Sequence, residues 1–379
     1  MPLPAPFKLE RYFAQYEFKA KYLLSPSDCE SLALNELLHL ADADGLRLWN
    51  DLGLGYTESP GHPVLRKEIA RMYQTVLPDQ IVVAAPEELI YIALNTLLKP
   101  GDHVVCISPT YQSLHEVARA IGCEVTPWAA KVVDGEWRLD LNQLEAAITD
   151  RTRLLVVNFP HNPTGYLPTR AELDAIIQLA RRHDLFVFCD EMYRLLEYDA
   201  ASRLPPVCDL YERGISLSGL SKTFALPGLR IGWLATQDKS LPEKWLTFKD
   251  YTTICSSAPS EILGIIALRA ADLIIARNLQ IIQSNIHTAE QYFAEHPSLF
   301  QWLKPRAGSI AFPRWLGSMS IEQLCQSAVD QRGVMVVPGS IFDFPPQLHH
   351  LSQHFRVGLG RRNFPEALEQ FGAHVRESS

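Results

Sequence analysis

Lys222 stands in SLSGLSKTFALPGLRIGW, Ser216 to Trp233, just past a β-rich run and among small residues, with Arg230 eight positions on. A lysine amine forms an imine with an aldehyde, and burial beside positive charge lowers its pKa enough for it to act as nucleophile and base. Arginine adds a rigid fork suited to a phosphate. Taken alone, such a lysine is more often a surface charge. Two further segments bear on the choice. NFPHNPTG, Asn158 to Gly165, follows the run RLLVVN and sets Asn162 at a strand end, where a ligand would lie, although Asn-Pro before Thr-Gly is also a plain turn signal. FVFCDEMYR ends an apolar run at Asp190 and puts Tyr193 three residues on. A carboxylate there can pair with a protonated ring nitrogen and a phenol can donate to an oxygen. The plainer reading of Asp190 is a cap on the next helix.

Such groups meet only if several strands end side by side. The runs IVVA at 81–84, HVVCI at 103–107, RLLVVN at 153–158, LFVFCD at 185–190 and ISLS at 215–218 alternate with helical stretches. EELIYIALNTLL at 87–98 ends at Pro100-Gly101, and RAELDAIIQLARRH at 170–183 follows Thr169 as a cap. This alternation predicts βαβ units and a mostly parallel sheet whose ligands sit at the carboxyl ends of its strands. After about residue 255 the texture changes to a long helical segment and a short α+β ending. Single cores tend to split beyond about 250–300 residues. We therefore expect an N-terminal segment, 1–45, packing with a small domain; a large cofactor-binding domain, 46–255; and the small C-terminal domain, 256–379.

Net charge is −8, and RRH at 181–183 and GRR at 360–362 are the nearest things to a basic run, which argues against nucleic-acid binding. No stretch of 18 apolar residues predicts a membrane helix. MPLPAPFKLERYF lacks the order of a secretory signal, so the expected location is cytoplasmic. The seven cysteines have no CxxC pairing; they read as free thiols, and no metal site is expected.

In this order the three segments resemble the class I and II aminotransferases, the fold type I enzymes that use pyridoxal phosphate, with a likeness running in gaps from about Tyr56 to Gly360. The resemblance implies an α/β fold: a large, mostly parallel seven-stranded α/β/α domain plus a smaller α+β domain. It implies pyridoxal 5′-phosphate as cofactor, amino-acid and 2-oxo-acid substrates, and a homodimer with shared active sites. By the same resemblance Lys222 carries the Schiff base and Arg230 binds the phosphate. Asn162 and Tyr193 meet the pyridine hydroxyl oxygen, and Asp190 pairs with the ring nitrogen. Looser matches make Tyr111 of SPTYQ (108–112) the ring that stacks on the cofactor. Tyr56 of GYTESPGHPVLR (55–66) would reach the neighbouring subunit's phosphate. Arg356 of HFRVGLG (354–360) would grip the substrate α-carboxylate beside Asn162, the planar pairing that arginine suits.

The sequence also departs from the family pattern. The phosphate turn is Ala84-Ala85-Pro86-Glu87; Ala85 replaces the usual glycine and Pro86 supplies no N–H, which leaves the backbone around Ala85, Pro86 and Glu87 for the anion. Gly219 stands where a serine is usual, with Ser218 or Ser221 as substitutes. Ser108-Pro109 and Asn162-Pro163 are candidates for cis bonds. Tyr16, Tyr22 and Trp49 either line the substrate pocket or pack. Two alternatives to transamination stay open: a carbon–sulfur lyase or cyclising β-replacement enzyme of the same fold, and a non-catalytic cofactor-sensing module. The latter usually follows a DNA-binding region, and the residues before the first motif show no basic face.

Overall fold

The apolar runs at 81–84, 103–107, 153–158, 185–190 and 215–218 become strands of one sheet. The structure is a computed structural model that describes residues 3–344 and 351–378. The chain enters through helix α1 (Lys8–Tyr16) and then builds strand β1 (Ile81–Ala84), helix α2 (Pro86–Leu97), β2 (His103–Ser108), β3 (Glu124–Ala129), β4 (Thr152–Asn158), helix α3 (Arg170–Arg182), β5 (Phe186–Asp190), β6 (Gly214–Gly219) and β7 (Gly232–Thr236). The seven strands lie in the order β1-β7-β6-β5-β4-β2-β3. β7 is antiparallel to both its neighbours, and the other pairings are parallel. This is the seven-stranded, mostly parallel sheet that the resemblance implies.

Every residue of β1, β2, β5, β6 and β7 is buried, which is why these strands read as continuous apolar runs. Successive side chains still go to opposite faces. Val104, Cys106, Leu154 and Val156 pack in one core with Leu89 and Ile92 of α2. Val105, Ile107, Leu155 and Val157 pack in another with Leu173, Ile176 and Ile177 of α3. Helix α3 starts where Thr169 predicts. The Glu172 N–H donates to Thr169 Oγ1 at 3.2 Å and the Thr169 N–H to Glu172 Oε2 at 2.6 Å, a reciprocal cap worth about 1 kcal/mol.

Beyond the sheet a 25-residue helix, α4 (Ala271–Glu295), leads into small antiparallel strands, among them β8 (Phe355–Gly358). The N-terminal strand Tyr22–Leu23 pairs in parallel with Val334–Met335. The chain then runs flat across β8: the Gly358 N–H donates to Leu24 O at 2.7 Å and the Glu30 N–H to Gly360 O at 2.8 Å. A Cβ on Gly358 would stand 2.0 Å from Pro26 O, and one on Gly360 2.5 Å from Asp28 O. The glycines of HFRVGLG therefore let residues 24–30 lie directly over the strand that carries Arg356. Ser108-Pro109 and Asn162-Pro163 are both cis, as is Phe159-Pro160, which the sequence did not single out. No helix among the described residues is long and apolar enough to cross a membrane.

Candidate active site

Asn158 and Asp190 are register partners at the carboxyl ends of β4 and β5. Asn158 Nδ2 donates to Asp190 O at 2.8 Å, and Asn158 Oδ1 accepts the Asn162 N–H at 2.7 Å, so one side chain ties the two motifs together. Asp190 is 7% exposed. Its Oδ1 accepts the Met192 N–H at 3.0 Å, and it has no cationic partner in a salt bridge among the described residues. Burial pushes its carboxyl up to about 6, against the pull of that N–H and of Lys222. A buried carboxyl held this way is suited to a cationic N–H.

Lys222 lies just past the end of β6, as the sequence predicts, in a turn of the chain. Thr223 Oγ1 in that turn donates to Arg194 O at 2.8 Å and so docks it on the Asp190 loop. Lys222 Nζ donates to Ser27 Oγ at 2.9 Å. Burial lowers the ammonium from its ordinary value, and the largest opposing influence is the Asp28 carboxylate. Tyr193, 2% exposed, lies in the same cluster. Its hydroxyl makes no well-aligned hydrogen bond, although Ser27 is close enough to favour the ionised phenol against the rise caused by burial.

The NPTG turn is held to the SPTYQ loop by His161. Pro109 O can only accept, so His161 Nε2 donates to it at 2.8 Å, and Nδ1 then accepts from Thr164 Oγ1 at 2.6 Å. The ring stays neutral because burial lowers its pKa to about 4. Gly165 closes the turn at φ +68°, where a Cβ would stand 2.3 Å from Pro305 Cβ, so both conformation and space require glycine. Tyr111 leaves the loop half-buried; Phe7 packs against its ring at 4.9 Å, and its hydroxyl donates to Glu10 Oε1 at 3.0 Å.

Arg356 is 1% exposed. Its Nη1 donates to Asn162 Oδ1 at 3.3 Å and its Nε to Ser25 O at 3.1 Å, while Phe342 and Phe13 flank the guanidinium at 5.1 and 5.8 Å. No carboxylate pairs with it among the described residues. A buried guanidinium left without a counter-ion is costly unless a ligand supplies one. The fork also has donors to spare.

The phosphate end is looser. Ala85 and Pro86 open α2 with no side-chain cap, and Pro86 fits closely because Gly232 faces it: a Cβ on Gly232 would stand 2.8 Å from Pro86 Cγ. The N–H groups of Glu87 and Glu88 come before the first helical bond, from the Leu89 N–H to Ala85 O at 3.0 Å, and are placed to meet an anion. The Glu87 carboxyl is pushed up to about 7 by burial, with Ser113 and Arg230 opposing. Ser218 and Ser221 are both buried, and Ser221 Oγ has no partner. Arg230 is exposed at φ +56°, a left-handed conformation for a non-glycine residue, and its Nη1 donates to Pro227 O at 3.0 Å. Tyr56 is 94% exposed and touches none of these groups in its own chain.

These features fit pyridoxal phosphate: an amine, a buried carboxyl without a cation, two buried hydroxyls without partners and a free helix start. Among the described residues no cluster of His, Cys, Asp or Glu could hold a metal ion. Tyr16, Tyr22 and Trp49 pack instead of meeting the cleft: Tyr16 donates to Gln326 Oε1 at 2.7 Å, Tyr22 packs in a core with Val334, Phe355 and Val357, and Trp49 rests on the helices beside β1. Ser25, Ser27 and Asp28 were not singled out from the sequence. Their only signal is the pair of glycines in HFRVGLG that makes room for them.

Comparisons with known proteins agree with this geometry. The family model for aminotransferase class I and II matches residues 35–367. Capreomycidine synthase of Streptomyces vinaceus is 30% identical over 377 residues, 97% of this chain and 94% of that one. A PLP-dependent aminotransferase from Streptococcus suis 89-1591 superposes with a TM-score of 0.91 at 28% identity, covering 99% of this chain and 98% of that one. The PLP-dependent cyclase OrfR superposes with a TM-score of 0.89 at 26% identity over 100% and 99% of the two chains. With the family model matching most of its length, this chain belongs to the class I and II aminotransferases.

Proposed function

We propose that this protein moves an amino group from an amino acid to a 2-oxo acid with pyridoxal 5′-phosphate, and that Lys222 both holds the cofactor and carries the proton. The carrying observation is the convergence of Lys222, Asp190, Tyr193 and Arg356, with no salt bridge to Asp190 or Arg356 and no partner for the Tyr193 hydroxyl among the described residues. The cofactor supplies an aldehyde that forms imines and a ring that accepts electrons. Lys222, its ammonium destabilised by burial, takes the substrate Cα proton and returns it. Asp190 holds a proton on the ring nitrogen. Tyr193 and Asn162 orient the ring hydroxyl, and Tyr111 lies against the ring face. Ser221, or Ser218 beside it, joins Arg230 and the start of α2 at Ala85, Pro86 and Glu87 in gripping the phosphate.

Arg356 is the holder of the substrate α-carboxylate in this reading. Arg356→Gln should lower kcat/KM by about 100-fold, mostly through KM, because one bidentate charged pair is lost while the lysine is untouched. Steady-state kinetics with a fixed donor checks this; an unchanged KM would remove Arg356 from the role.

A second reading, cyclisation, is favoured by the likeness to the cyclase OrfR. One experiment separates the two. Amino donors are supplied with and without 2-oxoglutarate, and the amino-group product is followed together with any cyclic product. Transfer that requires the oxo acid supports the first reading. A ring-closed product, or pyruvate and ammonia, formed without an acceptor supports the cyclase or lyase.

The working unit in this proposal is a homodimer. Leu54, Tyr56, Tyr251 and Ile254 are exposed apolar residues on two loops joined by the Thr57 hydroxyl, which donates to Ser256 O at 3.3 Å. Thr253 on the second loop donates to Glu88 Oε1 at 2.7 Å, so this patch adjoins the start of α2. Tyr56 would reach a partner's phosphate from there. Sedimentation should give twice the 42.7 kDa of one chain, and a fully active monomer would contradict the proposal. Within each chain we read 1–45, 46–255 and 256–379 as the functional divisions, a reading that the pairing of Tyr22–Leu23 with the C-terminal strands supports. Seven unpaired cysteines, six of them buried, suit a reducing compartment such as the cytoplasm.

A further inference from the structure

Helix α1 turns an acidic face to the cleft. Glu10 on α1 accepts the Tyr111 hydroxyl at 3.0 Å, and Phe13, three residues on, lies 5.8 Å from the Arg356 guanidinium. Residues three, four and seven apart share a helix face, so Glu17, seven past Glu10, continues the same line. Its backbone is still helical, with the Glu17 N–H donating to Phe13 O at 2.8 Å. The side chain is half-buried and makes no salt bridge among the described residues. Burial raises its pKa, and its charged neighbours are Asp28, Arg361, Glu10 and Lys222. Asp28 differs from it: Arg361 Nη2 binds both Asp28 oxygens, at 2.8 and 3.0 Å.

Two carboxylates at the mouth, Glu10 and Glu17, thus form no salt bridge among the described residues, although Arg361 and Lys222 act on Glu17 from farther off. Independent groups mark the same cleft as a ligand site, namely the unpartnered Tyr193 hydroxyl, 2% exposed, and the Arg356 guanidinium, 1% exposed. An amino acid held through its carboxylate at Arg356 and its nitrogen at Lys222 has only its side chain left to recognise. An anionic side chain would meet two like charges, with Arg361 already engaged by Asp28. A cationic one compensates both.

We infer that the amino donor carries a cationic side chain, an ammonium or guanidinium, bound by Glu17 with Glu10 in support. This inference rests on the transaminase reading, and its test is chosen so that the two can fail separately. Donor half-reactions of the cofactor-loaded enzyme are compared for L-arginine and its near-isosteric neutral analogue L-citrulline. Equilibrium binding of their α-methyl derivatives, which have no Cα proton to lose, is measured alongside. The cationic member should be preferred by about tenfold or more in both measurements, the size of one charged hydrogen bond. Glu17→Gln should remove most of that preference through KM while citrulline values stay put, and Glu17→Asp should restore part of it. Glu10→Gln serves as a second variant with the same expected direction. Equal treatment of the two donors, or a preference that survives both glutamine variants, overturns the inference. If no donor reacts yet α-methylarginine still binds better than α-methylcitrulline, the transaminase reading falls while the recognition stands.

Discussion

Lys222→Ala should lose transamination by about 10⁴-fold, since general-base catalysis alone contributes roughly 10²–10⁴ and the variant loses the covalent anchor as well. The magnitude follows from the position. Among the described residues Lys222 Nζ has a single hydrogen-bond partner, Ser27 Oγ at 2.9 Å, and burial favours its neutral form. Of the groups in the cleft only this amine can add to an aldehyde and then, once displaced, accept a proton from the adjacent carbon. Asp190 and Tyr193, both raised by burial, carry no amine and cannot form the imine, so neither replaces it. Borohydride reduction of the loaded wild type should fix the cofactor to Lys222, as read by mass spectrometry of the modified peptide, and the alanine variant should take no label. Methylamine added to the variant should recover a small part of the rate, because a free amine can do the proton transfer without the tether. Label on another lysine, or a variant within tenfold of wild type, would end the assignment.

The parts of this site that were legible in the sequence lie at the ends of regular elements. Asn162, Asp190 and Lys222 each follow an apolar strand, and strands that must be parallel must also end on the same side, so their convergence follows from pattern alone. The cap at Thr169 and the Pro86 start of α2 are local signals of the same kind. Ser27 shows what pattern cannot reach. It meets Lys222 across 195 positions of chain from an irregular segment with no hydrophobic period, and only the surrounding tertiary contacts bring it there. The acidic face of α1 lies between these cases: the spacing of Glu10, Phe13 and Glu17 is visible, but the partner of that face is not. Tyr56 differs again, since an exposed tyrosine has no address within one chain when its proposed target lies on another. Ser218 and Ser221 cannot be told apart by pattern, since only side-chain packing shows that the Ser221 hydroxyl is buried and unpartnered.

Asp190→Asn should retain the cofactor yet reduce turnover by about 10²–10³, the usual loss when one preorganised charge is removed from a transition state. Binding persists because Lys222, Arg230 and the start of α2 are unaltered. The same substitution has a distinct signature in pH. In the cofactor-free chain Asp190 stands at about 6 instead of 3.8, so between those values the folded protein holds a proton that the unfolded chain releases. Stability from this residue therefore falls as pH rises through that window, and above it the cost of the buried carboxylate is complete, about 3 kcal/mol. A protonated ring nitrogen beside Asp190 cancels that cost. The gain in Tm on adding cofactor should therefore grow as pH rises toward 6 in the wild type and level off above it. An asparagine does not titrate, so this component should be missing from Asp190→Asn, while any slope due to the phosphate or to Glu87 remains in both proteins. Differential scanning from pH 4.5 to 8, with and without cofactor, isolates it as the difference between the two proteins. Identical slopes would show that Asp190 does not face the ring nitrogen, whatever the variant does to the rate.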